Sequence, residues 1–201
     1  MQATFLHDCY LTALDLACRR GERVLFRELS FALAPGDALQ VTGANGVGKS
    51  SLIRILAGLL RPFHGSVESE GAVGLVDERP ALDPQLALGK ALAFWAGFDG
   101  TGIMAHEAIS DRLGLSGLLD VPVRYLSTGQ KKRAALARLL GQKAPVWLLD
   151  EPLNGLDTSA SKTVESLIAE HCEAGGIVLV ASHQAIALPS PRRIDLAEFA
   201  P

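Results

Sequence analysis

The 201 residues include 48% hydrophobic side chains, enough for one substantial core and too few for two comfortable domains, so one domain with a small insert is expected. A formal charge of -3 argues against a surface dedicated to nucleic-acid phosphates, so no nucleic-acid partner is expected. No run approaches the roughly 18 consecutive apolar residues of a membrane span, and Cys9, Cys18 and Cys172, without a CxxC pair, suggest reduced thiols rather than a disulfide framework or a zinc site.

Met1 to Tyr10 contains no Lys or Arg and includes Asp8, unlike a secretory leader, and reads as a modest extension. Val24 to Ala34 and Asp37 to Thr42 read as strands separated by the Pro35-Gly36 turn. Lys49 to Leu60 has Leu52, Ile53, Leu56 and Leu59 on one face and Pro62 beyond its end, which predicts a helix. Gly65 to Asp77 reads as two short strands. Pro84 to Leu119 is helical in pattern and interrupted by Gly97, Gly100 and Gly102, and the insert is placed at about 84–140. Val146 to Leu149 and Ile177 to Ala181 are continuous apolar runs, as expected of strands buried on both faces of a parallel sheet, with a helix at Thr158 to Glu173 between them. Strands alternating with helices imply an α/β fold.

Between the second predicted strand and the first predicted helix, Gly43-Ala44-Asn45-Gly46-Val47-Gly48-Lys49-Ser50 fits GxxxxGK[ST]. Its glycines let backbone N–H groups turn inward around phosphate oxygens at a helix N-terminus. Lys49 adds a point charge near the β- and γ-phosphates, the Ser50 hydroxyl suits Mg²⁺, and Ser51 continues the same turn. Alone, this motif says only that a nucleoside triphosphate is bound. A second anion site is suggested where Ser127, Thr128, Gly129 and Gln130 open a helix with an apolar stripe; a plain serine cap is the alternative.

Taken together, Leu126 to Gln130, the strand-end Asp150-Glu151-Pro152, Leu153-Asn154-Gly155-Leu156-Asp157 and Ser182-His183 resemble the signature, Walker B, D-loop and switch histidine of the ABC ATPase family. The resemblance implies a P-loop fold with a mostly parallel core sheet, an antiparallel β subdomain and a small helical subdomain. It implies ATP and Mg²⁺ as cofactors, with Ser50 and Asp150 holding the metal, Glu151 orienting and polarising the attacking water, Lys49 charging the phosphates and His183 sensing the γ-phosphate. It also implies a head-to-tail homodimer, in which Ser127 to Gln130 of one copy close over nucleotide held by the other. His7, His64, His106 and His171 read as structural.

Two positions depart from the family pattern. Glu78 falls where a glutamine-loop residue is expected, and a carboxylate there could reach a metal-bound water. The aromatic that stacks on adenine is missing from Cys18-Arg19-Arg20-Gly21; the plane of Arg20 could replace it, with a solvated surface charge as the alternative.

Arg20 to Phe31, Gln40-Val41-Thr42-Gly43 and Leu92-Ala93-Phe94-Trp95 are similar to ATP-binding subunits of bacterial haem exporters used in cytochrome c maturation. That similarity implies docking on integral membrane subunits at the cytoplasmic face of the inner membrane, as a peripheral protein. Another ABC transporter, or a soluble ABC-type ATPase of repair or iron–sulfur assembly, is the alternative. With no CxxCH, no direct haem binding by the chain itself is expected.

Overall fold

A computed structural model describes residues 9–100, 103–189 and 192–201. The expected extension at Met1 to Tyr10 falls largely on residues 1–8, outside the described residues, as do His7, Gly102 and the side chain of His106. Two sheets organise the chain. The antiparallel one has the order β2-β1-β4, from β1 (Tyr10–Arg20), β2 (Arg23–Leu33) and β4 (His64–Glu70). The other is parallel throughout, in the order β5-β6-β7-β3-β8, and comprises β3 (Ala38–Thr42), β5 (Val73–Val76), β6 (Val146–Asp150), β7 (Ile177–Ala181) and β8 (Arg192–Asp195).

The apolar runs at β6 and β7 are continuous because both faces of the parallel sheet are covered. Val146, Leu148, Ile177, Leu179 and Ala181 pack with α1 (Lys49–Leu56) and the antiparallel sheet. Trp147, Leu149, Val178 and Val180 join the core beneath α2 (Leu88–Asp99), α4 (Thr128–Gln142) and α5 (Thr158–Glu173). The helix α3 (Ile103–Arg112) packs against α2 and α4.

Three features differ from the sequence reading, and a fourth, the pair of strands expected within Gly65 to Asp77, is present and refined. The first helix stops at Leu56, where Ala57 caps it and Gly58 turns left-handed (φ 70°); Leu59 is therefore 66% exposed instead of completing the apolar face. The two strands expected within Gly65 to Asp77 belong to different sheets. β1 was not anticipated because bulges destroy its period of two: Leu14 and Asp15 are both exposed, Asp15 sits at φ 49°, and Ala17 and Cys18 are both buried. β8 is short, polar and at the edge, so hydrophobic alternation could not reveal it.

His171 is structural as expected. It stacks on Trp147 with ring centroids 3.8 Å apart, and its Nε2 lies 3.0 Å from the Pro145 carbonyl. Burial holds its pKa down at about 4. A histidine kept neutral in the fold contributes its full share above its unfolded pKa of about 6.5, and that share is lost as pH falls toward 4. Chemical denaturation from pH 7 to 4 should therefore show His171→Phe losing less stability than the parent, by about 2–3 kcal/mol.

Candidate active site

The phosphate-loop candidate leaves β3 and enters α1, so its amides converge at the start of a helix whose N-cap is Gly48. Gly43 and Gly48 lie at φ 135° and 121°, where an L side chain is strained. A Cβ on Gly43 would come within 2.9 Å of Val47 Cγ1, and one on Gly48 within 3.1 Å of the Phe26 ring. Glycine is required at both for conformation and for space. The resulting cleft, about 220 Å³, is lined by Leu25, Asn45, Gly46, Gly48, Lys49, Ser50, Ser51 and Glu151.

Lys49 is buried, and its Nζ donates to the carbonyls of Gly43 (2.8 Å) and Ala44 (3.4 Å) while standing 3.8 Å from Glu151 Oε1. Asp150 ends β6. Its Oδ1 is buried and accepts no hydrogen bond, whereas the Ser50 hydroxyl bonds to the same carboxyl. Burial pushes the Asp150 pKa up, and the Ser50 hydrogen bond and the Lys132 charge oppose that. An orphaned carboxylate oxygen beside a serine hydroxyl is a donor set that suits a hard divalent cation such as Mg²⁺.

Glu151 adopts φ 45°, a left-handed conformation that costs a non-glycine residue about 1 kcal/mol or more. The surroundings enforce it. Its N–H donates to Ala181 O (2.8 Å), Oε2 accepts from Ser182 Oγ (3.1 Å) and lies 2.9 Å from His183 Nδ1, and Oε1 accepts from the His183 N–H (3.2 Å). Three strands thus deliver Ser50, Glu151 and His183 to one place, because β3, β6 and β7 are parallel and their ends adjoin. Gln40, in the buried β3, donates to Gln184 O at 2.8 Å and fixes the segment carrying His183. The sequence reading assigned Gln40 no role in the site, although a polar residue in a buried strand must find a partner.

Ser127 caps α4 in a capping box: its Oγ accepts from the Gln130 N–H (3.2 Å), and Gln130 Oε1 accepts from the Ser127 N–H (2.8 Å). Ser127 and Thr128 are exposed. Gly129 lies against the loop after β6, where a Cβ would be 2.3 Å from Gly155 O. Asp157 closes that loop by capping α5 through Ala160 N–H (2.8 Å). None of residues 127–130 lines the cleft at Lys49 within the same chain.

Lys132, overlooked within a basic run, is buried on α4. Its spacing to Leu136 and Leu139 would have placed it on the inward face. Desolvation lowers its pKa, against the charges of Asp150, Asp77, Glu151 and Glu78. Leu25 was also missed. Glu78 is exposed just beyond β5, while its neighbour Asp77 lies 3.8 Å from Arg54. Arg20 is exposed, yet its charge reaches Cys18, whose thiol bonds to Ser51 in the cleft wall.

The ABC transporter family profile matches residues 26–154. The cytochrome c biogenesis ATP-binding export protein CcmA of Novosphingobium aromaticivorans is 55% identical over 196 residues, spanning 98% of this chain and all of that protein. An ABC transporter ATP-binding protein from Pyrococcus furiosus shares the fold, with a TM-score of 0.82 at 19% identity over 96% of this chain and 100% of that one. A dimeric post-hydrolysis ATP-binding cassette bound to ADP and Pi gives a TM-score of 0.76 at 20% identity over 87% and 88%. By family profile and near full-length identity, the chain belongs to the ABC transporter family, among the cytochrome c biogenesis ATP-binding export proteins.

Proposed function

We propose that two copies of this chain form the ATP-hydrolysing motor of a haem exporter serving cytochrome c biogenesis, docked on integral membrane subunits at the cytoplasmic face of the inner membrane. The observation that carries the reading is the cluster of Lys49, Ser50, Asp150, Glu151, Ser182 and His183 at one sheet end, with the 127–130 turn facing outward from the same chain. A cleft furnished from one side and a helix tip turned to solvent complement each other between copies, head to tail. A solved ATP-binding cassette of the same fold is itself dimeric and bound to ADP and Pi, which supports pairing of two copies.

Within the site, the backbone of residues 43–51 and the Lys49 ammonium bind the phosphates. Ser50 and Asp150 are the residues to hold Mg²⁺, which neutralises phosphate charge when bound. Glu151 orients a water and accepts its proton as the bond to the γ-phosphate forms and the bond to ADP breaks. Ser182 and His183 aim the Glu151 carboxylate, and His183 meets the γ-phosphate. Ser127, Thr128, Gly129 and Gln130 supply amides and a hydroxyl to the nucleotide of the partner copy. Leu25 and the Arg20 guanidinium form the adenine side. Glu78 would contribute to holding the metal.

No helix among the described residues is long and apolar enough to cross a membrane. Phe94 and Phe98 are 65% and 80% exposed, and each meets Trp95 edge to face. We assign this aromatic face of α2 to docking on the membrane subunits.

Lys49→Ala should weaken binding of a fluorescent ATP analogue about a hundredfold, because a buried charge contact is lost. Glu151→Gln should keep nucleotide affinity, slow hydrolysis about a hundredfold or more, and accumulate an ATP-bound dimer in size-exclusion chromatography with light scattering. A fully active Glu151→Gln monomer would contradict the assignment. In cells lacking the chain, c-type cytochromes should lack covalently attached haem; the parent gene should restore attachment and the Glu151→Gln gene should not.

A further inference from the structure

The buried ammonium of Lys132 joins three regions of the fold that carry different pieces of the site. It donates to the carbonyl of Asp150, at the end of β6, at 3.0 Å, and to that of Asp77, just beyond β5, at 3.4 Å. The last rung between these two strands is Val76 with Leu149, so Asp77 and Asp150 are the residues at which the strand ends separate. A donor reaching both carbonyls spans the fork. Lys132 stands on the second turn of α4, the helix whose first turn is the 127–130 tip.

Electrostatics reinforce the tie. Asp150, Asp77, Glu151 and Glu78 all act on Lys132, a concentration of negative charge that a buried cation balances. No neutral apolar side chain of similar length could do this, since it would leave two strand-end carbonyls without their donor.

We propose that Lys132 is a positioning residue that fixes the outward 127–130 turn to the carboxylate-bearing ends of β5 and β6. The surface that each copy offers to its partner's nucleotide is thereby held in register with the carboxylates it applies to its own. Lys132 is not among the residues that line the cleft at Lys49, although the charge of Glu151, which does line it, acts on Lys132. Its removal therefore falls on closure of the dimer more than on capture of nucleotide by one chain. The inference rests on the head-to-tail reading of the 127–130 turn.

The test uses the full chain carrying Glu151→Gln, to which Lys132→Met, Lys132→Gln or Lys132→Arg is added. Two quantities are measured: affinity for a fluorescent ATP analogue, and the ATP-dependent dimerisation constant by light scattering. The Met and Gln variants should keep analogue affinity within about twofold and lose dimerisation by about tenfold, whereas Arg, which retains charge and several donors, should recover most of it. Intact analogue affinity identifies a folded variant, and where Met fails that criterion the Gln and Arg pair decides. Dimerisation unchanged in Lys132→Gln, or equally reduced in Lys132→Arg, would overturn the inference. Failure of the Glu151→Gln parent itself to dimerise would instead strike the head-to-tail reading.

Discussion

The parallel adjacency of β3, β7 and β6 is the constraint on which the site depends. Strands running the same way end on the same edge, and whatever follows each end must share that edge. The loop to α1 follows β3, Asp150 and Glu151 follow β6, and Ser182 and His183 follow β7. Chemistry scattered along the chain from Gly43 to His183 is thereby gathered without a long loop reaching across the molecule. The sheet's two buried faces make the arrangement rigid, because each strand is held by apolar contacts on both sides as well as by its ladder.

Against that rigid edge, local strain and burial are concentrated where the chemistry is. Glu151 is held in a left-handed conformation by a backbone bond to Ala181 and by Ser182 and His183. Asp150 is buried with one oxygen unbonded. Both would be liabilities in an inert core, and both would be explained by the proposed site, where a cation and a water would meet them. The thiols are unlike this: burial pushes Cys172 up to about 11 and Cys18 above its ordinary value, so they remain protonated packing groups.

Much of this was legible in the residues because the governing signals are local. The P-loop needs glycine at positions where the backbone turns left-handed, and the buried strands need uninterrupted apolar runs, so both announce themselves. β1 did not, because its bulges place two exposed and then three buried residues in succession, and β8 did not, because an edge strand needs no apolar face. The partners of Lys132 and Gln40, though not the inward placement of these residues, were hidden for another reason. Each is a polar residue whose partner is a backbone carbonyl distant in sequence, visible only once helix and strands are packed. The separation of the 127–130 turn from the Lys49 cleft is likewise a property of the folded surface.

The central claim is that nucleotide lies between the Gly43–Ser50 loop of one copy and the Ser127–Gln130 tip of another. The most direct measurement is site-specific disulfide trapping in a chain bearing Asn45→Cys and Ser127→Cys, compared with each single variant. With ATP and no turnover, the doubly substituted chain should cross-link into a dimer joined between positions 45 and 127 of different copies. Cross-linking confined within one chain, or independent of ATP, would contradict the account.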